Sequence, residues 1–278
     1  MTVQIRRHFI ATLVVGATSL CATVSHAAVS PLELVGPISD YKIYVSENVR
    51  KLVADTRLFT AAVKAGDIEK AKRLYAPTRT SYEKIEPVAE LFSDMDSAID
   101  SRANDHEKAE TDPEFGGFHR IEYGLWTQKS TKDLAPFADK LMANVLELQK
   151  RLASLTFPPE KVVGGAAVLM EEVAATKISG EENRYSHTDL WDFQANFEGA
   201  YKIVELLRPL VARENKAFAD KADANFNVVF DTLKKYRTAD GGFETYSKLT
   251  ERDRKVLAGR VNTLAEDLSK LRGMLGLN

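Results

Sequence analysis

The chain has 278 residues, of which 38 are basic and 40 acidic, and 44% are hydrophobic. This near-neutral balance lacks the basic surface that nucleic-acid binding needs, so we expect no nucleic-acid partner. A chain of this length can bury a core without disulfide bonds. Its one cysteine, Cys21, lies near the N-terminus, so any metal in the rest of the chain must be held by oxygen and imidazole nitrogen.

The first 27 residues have the pattern of a secretory signal peptide. Arg6 and Arg7 precede an apolar run over residues 9–22, and Ser-His-Ala at 25–27 is a small-x-small cleavage site. The run is too short to span a membrane, which takes about 20 apolar residues. We expect a general secretory signal, with a twin-arginine signal as the alternative. Cleavage would leave an exported domain over 28–278, and the loss of two arginines would change its formal charge from −2 to −4.

Beyond the signal, helix formers dominate, with apolar residues three and four apart and no sustained strand-type alternation. A first long helix is predicted over residues 34–65. Asp67 is a good N-cap for a second helix that runs toward residue 92. Pro77 and Pro87 should kink or break this second helix.

The middle of the chain predicts shorter elements. Residues 94–113 are polar and acidic, which indicates a short helix and a loop. A short apolar helix is predicted over 118–126 and a long amphipathic one over 132–155. Another helix should run over 158–178, where Ser179-Gly180 stops it.

Two capping-box patterns mark the last third of the chain, Ser186 with Asp189 and Thr250 with Asp253. The first should start a helix that Pro209 bends or restarts, and the second should start the last helix. Helices of this length with short joints predict an all-α protein, an antiparallel helical bundle.

Glu83 and Glu86 are the first candidates for chemistry. Residues three apart share a helix face, with Cβ atoms about 5–6 Å apart. Two inward carboxylates ~4 Å apart repel by about 4 kcal/mol at an effective dielectric near 20, and a bound cation removes that cost. Asp96 and Asp100, four apart, form a similar weaker pair. For both pairs the alternative is that the side chains point to solvent.

His119 and Glu122 offer one nitrogen and one oxygen to a common point, flanked by apolar residues. The same spacing occurs in helical-bundle metal sites. The alternative is a hydrogen-bonded, partly buried pair. The pattern is not the His-Glu-x-x-His motif of zinc peptidases, which needs two histidines on one face.

An acidic turn over residues 179–187 is the last candidate. Glu181 or Glu182 could swing inward while Arg184 balances the excess charge. Each candidate is weak alone, and a site requires the tertiary structure to bring them together.

Three stretches resemble the imelysin-like domain of the EfeO and EfeM proteins. They are PVAELF at 87–92, GFHRIEYGLW at 117–126 and SGEENRYSHTDLWDF at 179–193. The resemblance extends over nearly all of the chain after the signal. It implies a periplasmic helical bundle that binds metal for the Efe iron-uptake system.

The resemblance also implies a ligand set and partners. The cargo would be iron, with zinc, copper or manganese tolerated because one ligand is an imidazole. The implied partners are a membrane iron permease and a periplasmic haem peroxidase. The implied metal ligands are the His-x-x-Glu pair and four carboxylates: His119, Glu122, Glu83, Glu86, Asp100 and Glu182.

EfeO proteins carry an additional N-terminal cupredoxin domain, for which residues 28–37 leave no room, so the chain resembles the shorter EfeM form. Oxidation of ferrous iron would then need another protein. Two other functions stay open. One is binding of an acidic polysaccharide such as alginate through a bridging cation, and the other is a metal-dependent peptidase with Glu122 or Glu86 as base. We expect a binding protein and not an enzyme, because the zinc-peptidase motif is absent.

Overall fold

The computed structural model describes residues 29–277, and the signal peptide predicted for residues 1–27 lies outside them. Within this range the regular structure is helical apart from one isolated bridge between Arg237 and Phe243. The all-α prediction is therefore confirmed. The α-helices are α1 (Pro31–Lys64), α2 (Ile68–Glu83), α3 (Glu86–Ala89), α4 (Ser93–Asp100), α5 (Gly117–Trp126), α6 (Ala135–Ser154), α7 (Pro159–Ala175), α8 (Asp189–Lys234), α9 (Glu251–Leu268) and α10 (Leu271–Met274).

Short 3₁₀ turns lie between several of these helices. One of them follows α7 after a single residue and carries a buried lysine, Lys177. The turns are Glu90–Phe92, Ala103–Asp105, Ala109–Thr111, Lys177–Ser179 and Tyr246–Lys248.

Two of the predicted helix caps are confirmed. The Asp67 carboxylate accepts a hydrogen bond from the Lys70 backbone N–H at 3.0 Å, and Thr250 Oγ1 accepts one from the Asp253 N–H at 3.1 Å. Each satisfies a backbone donor that the first turn of a helix leaves without a partner.

The two prolines of the second predicted helix behave differently. Helix α2 continues through Pro77 and ends at Glu83. The chain then breaks at Ile85 and restarts with Pro87 in the first turn of α3, where its missing N–H costs nothing. The break expected at Pro87 is present, and a break at Pro77 is wrong.

Helix α8 is interrupted at Asn215 and not at Pro209, which stays inside it. Asn215 has φ −153° and ψ 89°, outside the helical region. Its side-chain oxygen accepts a hydrogen bond from the Phe218 N–H at 3.0 Å. Asn215 therefore acts as an internal N-cap, and the restart comes six residues later than the sequence predicts.

The helices pack in two groups that share one apolar core. Helix α1 packs against α2 and α6, and α7 packs against α8 and α9, while α8 contacts both α1 and α2. The segment between α7 and α8 contacts Glu83 at the end of α2 and Glu122 on α5. Among residues 29–277, no helix combines the length and the apolar character needed to cross a membrane.

Gly117 fixes how closely α5 approaches α4. Its φ is +64°, and a Cβ at this position would collide with the backbone carbonyl of Ile99. Only glycine allows both the left-handed backbone and the close approach. Because Ile99 precedes Asp100 and Gly117 lies two residues before His119, this contact brings the two side chains together.

We predict that Gly117→Ala destabilises the protein more than Gly241→Ala does. Gly241 also has a positive φ, +86°, but a Cβ there meets nothing within 4 Å. Gly241→Ala should lower the free energy of unfolding by only the about 1–2 kcal/mol that a left-handed backbone costs a residue with a Cβ. Gly117→Ala should lower it further, because its Cβ also collides with the Ile99 carbonyl. Urea unfolding followed by circular dichroism measures the free energy of unfolding of both variants. An equal decrease in the two would contradict the proposed role of the Gly117 contact.

Candidate metal centre

His119 lies on α5 with its imidazole buried between two sets of carboxylates. Its Nδ1 is 3.0 Å from Glu122 Oε2, which assigns the Nδ1 proton to that hydrogen bond. Its Nε2 faces the other way, 3.5 Å from Asp100 Oδ1 and 3.8 Å from Glu182 Oε1. These separations are too long for good hydrogen bonds, and Nε2 has no hydrogen-bond partner among residues 29–277.

Glu122 is fully buried and fixed by the turn that precedes α8. Its Oε1 accepts hydrogen bonds from the Tyr185 N–H at 3.1 Å, the Ser186 N–H at 2.8 Å and the Ser186 hydroxyl at 2.7 Å. Ser186 thus binds Glu122, and Thr188 is the residue at the helix cap. The predicted capping role of Ser186 is wrong because Glu122 takes its hydroxyl.

The four remaining predicted carboxylates lie close together, and two of them, Asp100 and Glu182, face Nε2 of His119. One oxygen each of Asp100 and Glu182 lies within 4.8 Å of the other and of a His119 nitrogen. Oxygens of Glu83, Glu86 and Asp100 likewise lie within 4.8 Å of one another. Because Asp100 belongs to both groups, the five residues form one cluster, which we call the carboxylate cluster.

Arg79 on α2 lies in the middle of this cluster and is fully buried. Its guanidinium pairs with Asp100, with Glu83 at 2.5 Å, with Glu182 at 3.1 Å and, through Nε, with Asp192 at 3.4 Å. An arginine can serve several carboxylates at once because its guanidinium presents five donors in a fixed plane. Arg79 therefore offsets much of the repulsion between the buried acids.

Lys177 supplies a second buried positive charge. Its Nζ lies 2.5 Å from Glu86 Oε1, 3.3 Å from Glu83 Oε2 and 3.9 Å from Glu182 Oε1. Asn196 on α8 donates from its amide to Glu83 Oε2 at 2.9 Å and to Glu86 Oε2 at 2.6 Å. Together they hold the two glutamates side by side.

These contacts shift the pKa of His119. Burial acts to lower this pKa, as does the charge of Arg79, but Glu122, Glu182 and Asp100 outweigh both and raise it from 6.5 to about 9. The imidazole is therefore protonated on both nitrogens and positively charged at neutral pH when only protein groups surround it, so a metal that binds Nε2 must displace a proton.

The acids titrate differently from one another. Burial raises the pKa of Asp100 to about 6 against the opposing charge of Arg79, and burial also raises the pKa of Glu86 well above 4.5. For Glu83, the charges of Lys177 and Arg79 outweigh burial and lower the pKa. Asp100 and Glu86 therefore hold a proton more tightly than Glu83 does, so protons would compete with a metal mainly at Asp100 and Glu86.

A cavity of about 130 Å³ connects the cluster to the surface. Arg102 lies at its wall, with Nη1 3.1 Å from Glu182 Oε2. Most of its other lining groups are acids or hydroxyls, so it would favour the entry of a cation. The lining residues are Glu86, Asp96, Ser97, Asp100, Ser101, Arg102, Asp105, Glu172 and Glu182.

The structure also separates the members of the weaker sequence pairs. Asp100 enters the cluster, whereas Asp96 accepts a hydrogen bond from the Tyr82 hydroxyl at the cavity wall. Glu182 points inward, whereas Glu181 pairs at the surface with Arg184. Of the two glutamates in the acidic turn, Glu182 is therefore the one that turns inward.

Comparison with known proteins identifies the family. The imelysin family model matches residues 37–271, which is most of the chain. The chain belongs to the imelysin family. This finding confirms the resemblance seen in the three sequence stretches.

Proteins named as iron uptake system components are similar to this imelysin-family chain over most of its length. The chain is 65% identical over 252 residues to the iron uptake system component EfeM of Pseudomonas syringae pv. syringae (strain B728a), which covers 91% of this chain and 88% of that protein. It is 60% identical over 247 residues to the iron uptake system component EfeO of Escherichia coli O157:H7, which covers 89% of this chain and 66% of that protein. The EfeO of Yersinia pestis is 57% identical over 263 residues.

The basic and amide groups of this imelysin-family site, Arg79, Lys177 and Asn196, were not predicted from the sequence. Arg79 precedes Glu83 by four residues, an i, i+4 spacing that predicts an ion pair but not burial. Lys177 and Asn196 carry no comparable local signal, because both reach the cluster from the other group of helices.

We predict that Glu122→Gln lowers the pKa of His119 from about 9 toward 6.5. A glutamine oxygen can still accept from Tyr185 and Ser186, but the negative charge beside Nδ1 is lost. NMR titration of the histidine ring protons in chelator-treated protein measures this pKa. Glu181→Gln, a surface change on the neighbouring turn, is the control and should leave it unchanged. A pKa near 9 in both variants would contradict the assigned contact.

Proposed function

We propose that the chain is a periplasmic metal-binding protein that captures iron and delivers it to a membrane permease of the Efe uptake system. The observation that carries the proposal is the buried Nε2 of His119, which faces Asp100 and Glu182 without a hydrogen-bond partner in the described part of the chain. Neither acid lies close enough for a good hydrogen bond, and a metal bound at Nε2 would take the place of the Nε2 proton between the same acids.

The donor set supports iron as the cargo. Carboxylate oxygens from Glu83, Glu86, Asp100 and Glu182 are hard ligands of the kind that iron binds, and one imidazole would also accept zinc, copper or manganese. The named relatives are iron uptake system components, which favours iron among these metals.

For Glu122 we propose an orienting role in place of the direct ligation expected from the sequence. One of its oxygens already accepts three hydrogen bonds, and the other faces Nδ1 of His119. A carboxylate that accepts the second ring proton of a ligating histidine fixes the ring and raises its basicity.

The proposal includes export to the periplasm and two protein partners there. The signal peptide predicted for residues 1–27 supports a periplasmic location, where a membrane iron permease and a haem peroxidase would be the partners. The cavity favours an ion over the polysaccharide alternative, because about 130 Å³ is well below the roughly 300–1,000 Å³ of most organic-ligand sites.

We predict that Fe²⁺ under anaerobic conditions, or Zn²⁺, raises the melting temperature by about 5–10 °C at a free concentration about 100 times the Kd, because the metal binds only the folded state. His119→Ala should weaken binding by at least about tenfold. His187→Ala, which removes an exposed imidazole outside the cluster, is the matched control and should keep wild-type binding. Equal melting of the wild type with and without metal would contradict the proposal.

A peptidase is the second candidate, because the matched family model is designated a peptidase model. Glu122→Gln separates the two functions. If Glu122 orients a ligand, the substitution should weaken metal binding by about 10–100-fold, and metal-loaded wild type should cleave no peptide. Peptide cleavage by the wild type that Glu122→Gln abolishes, with metal affinity intact, would make Glu122 a general base and overturn the binding function. Calorimetry with Zn²⁺ and mass spectrometry of a peptide library measure the two outcomes.

A further inference from the structure

Two buried cationic side chains, Arg79 and Lys177, pair with the carboxylate cluster and differ in how firmly they are held. Arg79 is enclosed on all sides. Its guanidinium carbon lies 5.9 Å from the ring centre of Tyr75 and 5.5 Å from that of Phe118, and four carboxylates surround its nitrogens. Movement of Arg79 would break all of these contacts at once, so we treat it as a fixed charge.

Lys177 pairs with acids through its ammonium alone, with Glu86, with Glu83 and, at 3.9 Å, with Glu182. It belongs to the three-residue turn Lys177–Ser179 between α7 and α8, and its ammonium reaches Glu86 and Glu83 at the end of a four-carbon stem. Such a stem can redirect its charge by side-chain rotation without a change in the backbone. Lys177 is therefore the displaceable cation of the two.

A second place for the ammonium lies beside its present position. Oxygens of Glu86, Glu90 and Glu172 all lie within 4.8 Å of one another. Glu90 Oε1 is buried without a hydrogen-bond partner among residues 29–277. Since Lys177 already contacts Glu86, a shift across that one carboxylate brings its charge to Glu90 and Glu172.

We propose that Lys177 is an internal cation that competes with the metal for Glu83 and Glu86, and that metal entry displaces its ammonium toward Glu90 and Glu172. This inference rests on the proposed function. An ammonium and a multivalent cation repel each other and require the same carboxylate oxygens. The displaced ammonium would pair with the outer carboxyl groups while the metal neutralises the inner ones, and its return would favour release of the metal. Lys177 thereby sets the affinity at a level that permits delivery.

The first test is Lys177→Met, which keeps the length of the stem and removes the charge. Zn²⁺ titrated into chelator-treated protein in a calorimeter should bind about tenfold more tightly, or better, than to the wild type. Lys177→Gln, which retains a hydrogen-bonding group for Glu86, should also bind more tightly and replaces Lys177→Met if that variant does not fold. Lys255→Met is the control for net charge, because Lys255 is an exposed lysine paired with Glu251, and it should change the Kd less than about twofold.

The second test addresses the receiving acids. Glu172→Gln should weaken Zn²⁺ binding in the wild type, because the displaced ammonium loses one of its new partners, but should have little effect in the Lys177→Met background. Glu171→Gln, an exposed neighbour, is the control for the loss of one negative charge. A loss from Glu172→Gln that is equal in both backgrounds would reflect long-range attraction alone and would overturn the displacement.

The outcomes distinguish this inference from the function on which it rests. Absence of Zn²⁺ binding by the wild type would overturn the metal site and the role of Lys177 together. Binding by the wild type, with unchanged or weaker binding by folded Lys177→Met and Lys177→Gln, would overturn the role of Lys177 alone, because a purely structural lysine would leave the Kd where it is.

Discussion

The burial of several carboxylates at one point is the constraint on which the rest of this structure depends. An ion loses much of its hydration inside a protein, and neighbouring ions of the same sign add repulsion. The described part of the chain meets this cost with Arg79 and Lys177, which are themselves acceptable in the interior only because the acids surround them. Acids and bases therefore stabilise each other, and removal of one partner would leave an uncompensated charge.

The helices have to deliver these groups to one place from distant parts of the chain. Gly117 allows α5 to approach α4 so closely that His119 meets Asp100. On the opposite side, Glu122 and the turn at Ser186 fix the imidazole by its Nδ1. The result is a ring whose Nε2 is directed at the acids, and this orientation distinguishes a potential ligand from an ordinary buried histidine.

Local sequence patterns predicted the parts of this structure that depend on neighbouring residues. The helix caps at Asp67 and Thr250 depend only on hydrogen bonds within one turn, so the sequence predicted them. Ser186 has the same local pattern, but its hydroxyl donates a hydrogen bond to Glu122, which is distant in the sequence. Arg79 and Lys177 look like surface charges in sequence, because only packing between the two groups of helices buries them. The chain's resemblance to a family supplied the ligand set that spacing alone left open.

In the proposed site, a metal binds at Nε2 of His119 among the carboxylates, and Glu122 lies behind the ring. Anomalous diffraction from crystals of the iron-loaded protein tests this claim most directly. We expect a single strong peak about 2.0–2.3 Å from Nε2 and from oxygens of the cluster, with the hydrogen bond between Nδ1 and Glu122 preserved. A peak at Nδ1, or one bound only at acids outside the carboxylate cluster, would contradict it.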